Sequence, residues 1–158
     1  MALAAFVIVI CFGVAVFRGA PYLPTFATDI ETILDRCELK AGDSLIDLGS
    51  GDGKVLLAAA RRGIRATGYE INPIMWIISL LRLWPYRKIT RVYLGSMWRA
   101  DVRQVDVVFI FLLDRLMGKM DKKLTAETRK GTLVASYVFN FPDRPTAWKT
   151  RNAYGYKF

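Results

Sequence analysis

One run, Asp47-Leu48-Gly49-Ser50-Gly51-Asp52-Gly53, and one later acid, Glu70, carry the chemistry that reads most directly from this chain. Alternate glycines let a backbone turn sharply and let a ligand approach with no Cβ in the way. Glu70 stands 17 residues beyond Gly53, at the end of the next predicted strand. A carboxylate there accepts hydrogen bonds from both ribose hydroxyls of a nucleoside. Loop plus acid describe a nucleoside-cofactor site.

The spacing narrows the ligand. Dinucleotide sites use G-x-G-x-x-G with a pyrophosphate on the helix N-terminus. Here Lys54 and Leu56 occupy the positions where the last glycine of that pattern would have to fall. Asp47 and Asp52 put two negative charges at the loop, which disfavours a pyrophosphate and favours a ligand with a positive end. S-adenosylmethionine, with an ammonium and a sulfonium, is such a ligand. The chain has no histidine and only two cysteines, Cys11 and Cys37. That excludes Ser-His-Asp and Cys-His catalysis and the common zinc sites, and no metal is expected.

These residues must be held by an α/β frame. Ser44 to Leu48 reads as a strand, Lys54 to Arg62 as a helix ending near Gly63, and Ala66 to Glu70 as a second strand. Asn72-Pro73 starts a helix, Asn as N-cap and Pro at the first helical position, running to about Leu83. Arg91 to Gly95 is a third strand. Val105 to Leu113 is almost wholly apolar, as a central parallel strand buried on both faces should be. Asp114 is expected to cap a helix with Leu116, Met120 and Leu124 on one face, and Gly131 to Phe139 is the fifth strand. Upstream, Thr28-Asp29-Ile30-Glu31 reads as a capping box before an apolar stripe of Ile30, Ile33, Leu34 and Cys37, which makes Cys37 a packing residue. A small antiparallel hairpin is expected around Asn152 to Gly155. The sum is a Rossmann-like, doubly wound, mostly parallel sheet.

The charge is uneven. Lys and Arg number 23 against 14 Asp and Glu, a net +9, yet residues 1–17 carry no charged side chain. As a helix at about 1.5 Å per residue this run spans roughly 25 Å, the short end for a bilayer crossing. Its basic residue, Arg18, follows the run, unlike a signal peptide, and it has no polar face, unlike a core helix. We read residues 1–18 as a transmembrane helix, 19–24 as a linker and 25–158 as the cofactor-binding domain. The positive-inside bias expects a single-pass membrane protein with its domain on the cytoplasmic side, or the matrix side in a mitochondrion. Basic side chains then face membrane lipid. No basic-aromatic recognition motif is present, so nucleic acid is not an expected partner.

At this point the sequence resembles a family. DLGSGDGK and GYEINP (Gly68 to Pro73) are similar to the first two motifs of Rossmann-type, S-adenosylmethionine-dependent methyltransferases. PYLPT (Pro21 to Thr25), AAARRG (Ala58 to Gly63) and YVFNFP (Tyr137 to Pro142) extend the likeness to the membrane-tethered protein lysine methyltransferases of the adenine nucleotide translocase and ATP synthase c-subunit type. The resemblance covers most of the chain up to about Trp148. It implies that Asp47, Gly49, Ser50, Gly51, Asp52 and Gly53 line the methionine end of S-adenosylmethionine, and that Glu70, with Ile71 and Asn72, holds the ribose. Ser96, Met97 and Trp98 would flank the adenine; many relatives have an acid where Ser96 stands. Tyr22, Thr25 and Asn140 would lie at the methyl-transfer end as catalytic residues.

The resemblance implies methyl transfer to a lysine of an integral membrane protein. No imidazole is required, because a lysine desolvated beside a sulfonium already has its pKa lowered. Leu112-Leu113-Asp114-Arg115 stands where an N/D-P-P-Y/F run would mark a methyltransferase of nucleic-acid bases. Two alternatives stay open from sequence: a methyltransferase for a quinone or lipid headgroup, and a non-catalytic membrane module that binds the nucleoside.

Overall fold

The computed structural model describes residues 25–158. The predicted anchor over 1–18, the linker over 19–24 and Tyr22 lie outside the described residues. Among the described residues no helix is long and apolar enough to cross a membrane.

The elements are α1 Ala27–Arg36, β1 Ser44–Leu48, α2 Lys54–Arg61, β2 Arg65–Glu70, α3 Pro73–Leu83, β3 Thr90–Leu94, β4 Val107–Ile110, α4 Asp114–Glu127, β5 Leu133–Tyr137, β6 Trp148–Lys149 and β7 Ala153–Lys157. The strands form one sheet in the order β3-β2-β1-β4-β5-β7-β6. The first five are parallel, with Asp47 opposite Gly68 and Leu48 opposite Ile110. β7 runs antiparallel to β5, and β6 antiparallel to β7. The C-terminal hairpin therefore exists, turning at 150–152, and completes the sheet beside β5.

Each face of the sheet buries its own core. On one side Ile30, Ile33 and Leu34 of α1 pack with Val55, Leu56 and Ala59 of α2 and Leu83 of α3. On the other, Met117, Met120 and Leu124 of α4 pack with Ile46, Leu48, Val108, Ile110 and Tyr156. Leu48 and Leu56 are wholly buried, and truncating either to Ala costs about 2–5 kcal/mol. Helices on both faces make the doubly wound, Rossmann-like arrangement.

Three local expectations are corrected. Thr28 does not cap α1. The helix begins at Ala27 with Phe26 as an N-cap that offers no side-chain bond, and the Phe26 carbonyl accepts from the amides of both Asp29 and Ile30 at 3.1 Å. That backbone turn leaves Thr28 inside the first turn, past the capping position. Asp114 is likewise the first helical residue of α4, with Leu113 as N-cap and no side-chain bond. Its carboxylate can act there only through the helix dipole. Finally, Leu116 is only half-buried, and the packing stripe of α4 is Met117, Met120 and Leu124. The Asn72 cap forms as expected, its Oδ1 accepting from the amides of Ile74 at 2.9 Å and Met75 at 3.4 Å.

Candidate active site

Open α/β sheets place their ligand crevice at the carboxyl ends of the strands. Here β1 leads into 49–53, β2 into Ile71 and Asn72, β3 into 95–99, and β5 into 138–147. The glycine loop is tied to the neighbouring strand, because the amides of Gly49 and Ser50 donate to the Tyr69 carbonyl at 2.9 and 3.0 Å. Glu70 then braces the loop from below. Its Oε2 accepts from the Gly51 amide at 2.8 Å and its Oε1 from the Asn72 amide at 2.7 Å. One buried carboxylate thus fixes both the loop and the start of α3. The Gly95 amide donates to the Glu70 carbonyl at 2.8 Å, which brings the Ser96 turn alongside.

Two glycines have physical reasons. Gly53, the N-cap of α2, has φ +80°, and a Cβ there would sit 2.4 Å from Ser79 Oγ. Gly49 has φ +110°, and a Cβ would meet nothing within 4 Å. Bare backbone at Gly49 therefore faces open space at the tip of β1.

The acids differ in their surroundings. Asp52 is paired with Arg82 at 2.6 Å and Lys54 at 3.4 Å, and Arg82 also holds the Asp52 carbonyl at 2.7 Å. Asp47 is 2% exposed, and its carboxyl makes no hydrogen bond to another described residue. Burial, then the nearby Glu70 and Asp52, push its carboxyl well above the usual carboxylate range. The loop therefore holds one balanced acid, Asp52, and one buried acid lacking a cation, Asp47. The two charges expected at the loop are therefore unlike, and the compensation by Arg82, thirty residues away, has no local signal in the sequence.

The remaining predicted cofactor residues have distinct surroundings. Ser50 turns its hydroxyl toward Gly68 of β2 and has no hydrogen-bond partner among the described residues. Ile71 is half-buried beside Glu70. Ser96 caps the 3-10 turn Met97–Arg99, accepting from Trp98 N at 3.4 Å. Met97 is part of the α4-side core. Trp98 is half-buried, with the Lys119 ammonium 4.3 Å from its ring centroid.

The end of β5 is tied to the entry of α1 by long-range contacts. Tyr137 donates its hydroxyl to Asp29 Oδ2 at 2.6 Å, and Asn152 donates its amide to the same oxygen at 2.9 Å. Those two bonds hold the Asp29 carboxyl below the usual range, whereas burial and the Asp29 contact push Tyr137 up to about 12. They tie the entry of α1, with the half-buried Thr25, to the end of β5. Just beyond, Val138 has φ +71° and the Phe139 amide donates back to the Tyr137 carbonyl at 3.0 Å. This is a γ-turn of the positive-φ kind, a strained form for a β-branched residue. It reverses the chain and leaves Asn140 exposed. The meeting of Asp29 with Tyr137 and Asn152 was missed from sequence, because it spans more than a hundred residues; the Val138 turn was missed because a β-branched residue gives no sign of a positive φ. No hydrogen bond joins Thr25 or Asn140 to Glu70 among the described residues. Cys37 is buried, its thiol pushed up to about 12 by burial, as suits packing. No cluster of potential metal ligands occurs among the described residues.

Strand order 3-2-1-4-5-7-6, a glycine loop after β1 and an acid ending β2 define the Rossmann-like methyltransferase fold. A family profile described as the ANTKMT methyltransferase domain matches residues 47–148, and the chain belongs to that family. It is 33% identical over 125 residues to the ATP synthase c-subunit lysine N-methyltransferase of Xenopus laevis, covering 78% of this chain and 55% of that protein. It is 34% identical over 127 residues to an adenine nucleotide translocase lysine N-methyltransferase of Mus musculus, covering 77% and 54%. The chain thus spans about half the length of these curated relatives. Among solved structures, an RNA methyltransferase from Salinibacter ruber in complex with S-adenosyl-L-homocysteine superposes with a TM-score of 0.81 at 25% identity, covering 85% of this chain and 93% of that one.

Proposed function

We propose that this chain is an S-adenosylmethionine-dependent protein lysine N-methyltransferase, tethered by residues 1–18 to a membrane and acting on a lysine of an integral membrane protein. The observation that carries the reading is the cradle at the carboxyl end of β1 and β2. There a buried Asp47 has no cation, Gly49 presents open backbone, and Glu70 keeps free lone pairs on both oxygens after accepting one amide each. An ammonium suits Asp47 and a ribose diol suits Glu70, so the residues present fit the cofactor. The family membership and the relatives' names support the lysine acceptor, and the apolar N-terminal run supports the tether and the cytoplasmic or matrix orientation.

When bound, S-adenosylmethionine supplies a methyl group on a sulfonium, activated for in-line displacement. The chain's own work is placement. Asp47 neutralises the positive methionine end, Glu70 holds the ribose, and the Ser96–Trp98 turn bounds the adenine side. Carbonyl oxygens at the ends of β4 and β5, with Asn140, Thr25 and Tyr22, orient the entering lysine nitrogen. Desolvation there favours the neutral amine, which is why a site without histidine suffices.

Membranes incubated with the protein and methyl-labelled cofactor, followed by mass spectrometry of their proteins, test the reading. Label on lysines of an integral membrane protein is expected. Label confined to extracted lipid, or to added RNA, would overturn it.

A further inference from the structure

The helix α3 is apolar around nearly its whole circumference (PIMWIISLLRL), a composition expected of a helix buried on all sides. It is not buried on all sides. Ile77, Leu80, Leu81 and, just past its end, Trp84 are 50%, 38%, 71% and 65% exposed. Their spacing of three and four residues puts them on one stripe of the helix, pointing away from the sheet. The opposite side supplies Leu83 to the core and Ser79 beneath Gly53. A continuous exposed apolar stripe on a globular domain marks a surface meant to be covered.

The charge around the stripe says by what. From Ile71 to Ala100 the sequence has no acidic residue and five basic ones, Arg82, Arg87, Lys88, Arg91 and Arg99. Arg82 is taken by Asp52. Arg87, Lys88 and Arg91 are exposed, and no ion pair joins them to any described carboxylate. The Arg87 guanidinium lies over the Trp84 ring at 4.9 Å from its centroid, so the aromatic and the cation present themselves together at the end of the stripe. Exposed aliphatics, a terminal tryptophan and uncompensated cations with no acid are the chemistry of an interfacial helix, which seats its apolar face below the headgroups and its cations among the phosphates.

We propose that the outer face of α3, with Arg87, Lys88 and Arg91, is a docking surface for an anionic lipid bilayer. Such docking requires neither the methyltransferase reading nor a membrane-spanning N-terminus. Because α3 is capped by Asn72, whose amide is bonded to Glu70, docking would fix the proposed cofactor site in orientation and height above the membrane surface.

The test places an environment-sensitive fluorophore on a single cysteine in the full chain with Cys11→Ser and Cys37→Ala. The cysteine replaces Leu81 in one sample and Lys122, on the far layer, in another. Vesicles are phosphatidylcholine alone or mixed with phosphatidylglycerol, with and without brominated acyl chains. On anionic vesicles the probe at 81 is expected to shift blue and be quenched by bromine, while the probe at 122 stays aqueous. R87A/K88A should lower the docked fraction relative to the undocked at least about tenfold, from about 1 kcal/mol per surface cation, with an unchanged melting temperature. A probe at 81 that stays in water on vesicles the chain does bind would overturn the proposal. So would a probe at 81 already sheltered without vesicles, which would assign the face to residues 1–24 or to a second copy.

Discussion

The cofactor and acceptor halves of the proposed site are encoded differently. On the cofactor side, Asp47, the glycine loop, Glu70 and Asn72 fall within one short β-α-β passage, and Glu70 alone fixes loop and helix through two amide bonds. On the acceptor side, Asp29, Tyr137 and Asn152 converge from three distant parts of the chain. The first half is preorganised by local geometry and survives as long as β1, β2 and α3 stay packed. The second exists only once α1, β5 and β7 have assembled. Changes on the cofactor side should therefore act on ligand affinity and loop structure, and those on the acceptor side on turnover.

The largest effect is expected at Glu70. Glu70→Ala removes two amide partners and the ribose contact together, with each orphaned buried amide costing about 1–3 kcal/mol. Binding of S-adenosylhomocysteine, followed by calorimetry, should fall by roughly a hundredfold or more, and thermal unfolding should move to clearly lower temperature. Unchanged affinity would mean that the ribose does not sit there.

Gly53→Ala comes next. The new methyl meets Ser79 Oγ at 2.4 Å at a φ of +80°. Strain of this kind costs on the order of 1–3 kcal/mol, read as a lower denaturant midpoint. Gly49→Ala, whose methyl meets nothing within 4 Å but whose φ of +110° is strained for any L side chain, should cost stability of the same order and lower ligand affinity as well.

Asp47 separates affinity from stability. Its carboxyl is raised in the folded state, so its contribution to stability is fully present below the unfolded pKa near 3.8 and lost as pH rises through the folded one. At neutral pH an ionised Asp47 without a cation is a burden. Asp47→Asn should raise the melting temperature at pH 7 while weakening S-adenosylhomocysteine binding by about tenfold or more, the loss of a charge-assisted contact. The affinity of the unsubstituted chain should in turn rise with pH as Asp47 ionises.

The smallest effect on binding should come from the acceptor side. Asp29→Ala frees Tyr137 and Asn152 and should leave cofactor affinity within about twofold while lowering methyl transfer, because substitutions at distant sites act independently. Asp29 is held below 3.8 mainly by Tyr137, so the support it gives is present above that pH and lost as pH falls through its folded value. A parallel loss of cofactor affinity would dissolve the distinction between the halves.

The sequence made the cofactor side legible because its residues are close together and each does a job that few residue types can do. Glycine at positive φ, a carboxylate ending a strand and Asn-Pro opening a helix are such signals. The alternation of strands and helices followed from the apolar patterns. Other features depended on surroundings that the sequence does not print. Whether Thr28 or the Phe26 carbonyl closes the first turn of α1 is a contest between near-equal local bonds. Whether Leu116 or Met117 faces the core is a rotation of one residue. The Arg82–Asp52 pair and the Asp29–Tyr137–Asn152 knot needed the assembled sheet before they could be seen.

The most direct test of lysine methylation at this crevice is methyl transfer by the purified chain, reconstituted in membranes, from S-adenosylmethionine labelled at its methyl group, with Glu70→Ala as the paired control. Label is expected on a lysine of an integral membrane protein, abolished by Glu70→Ala and little changed by substitution of the buried Cys37. Tight cofactor binding with no label on any lysine, across all membrane fractions tried, would contradict it.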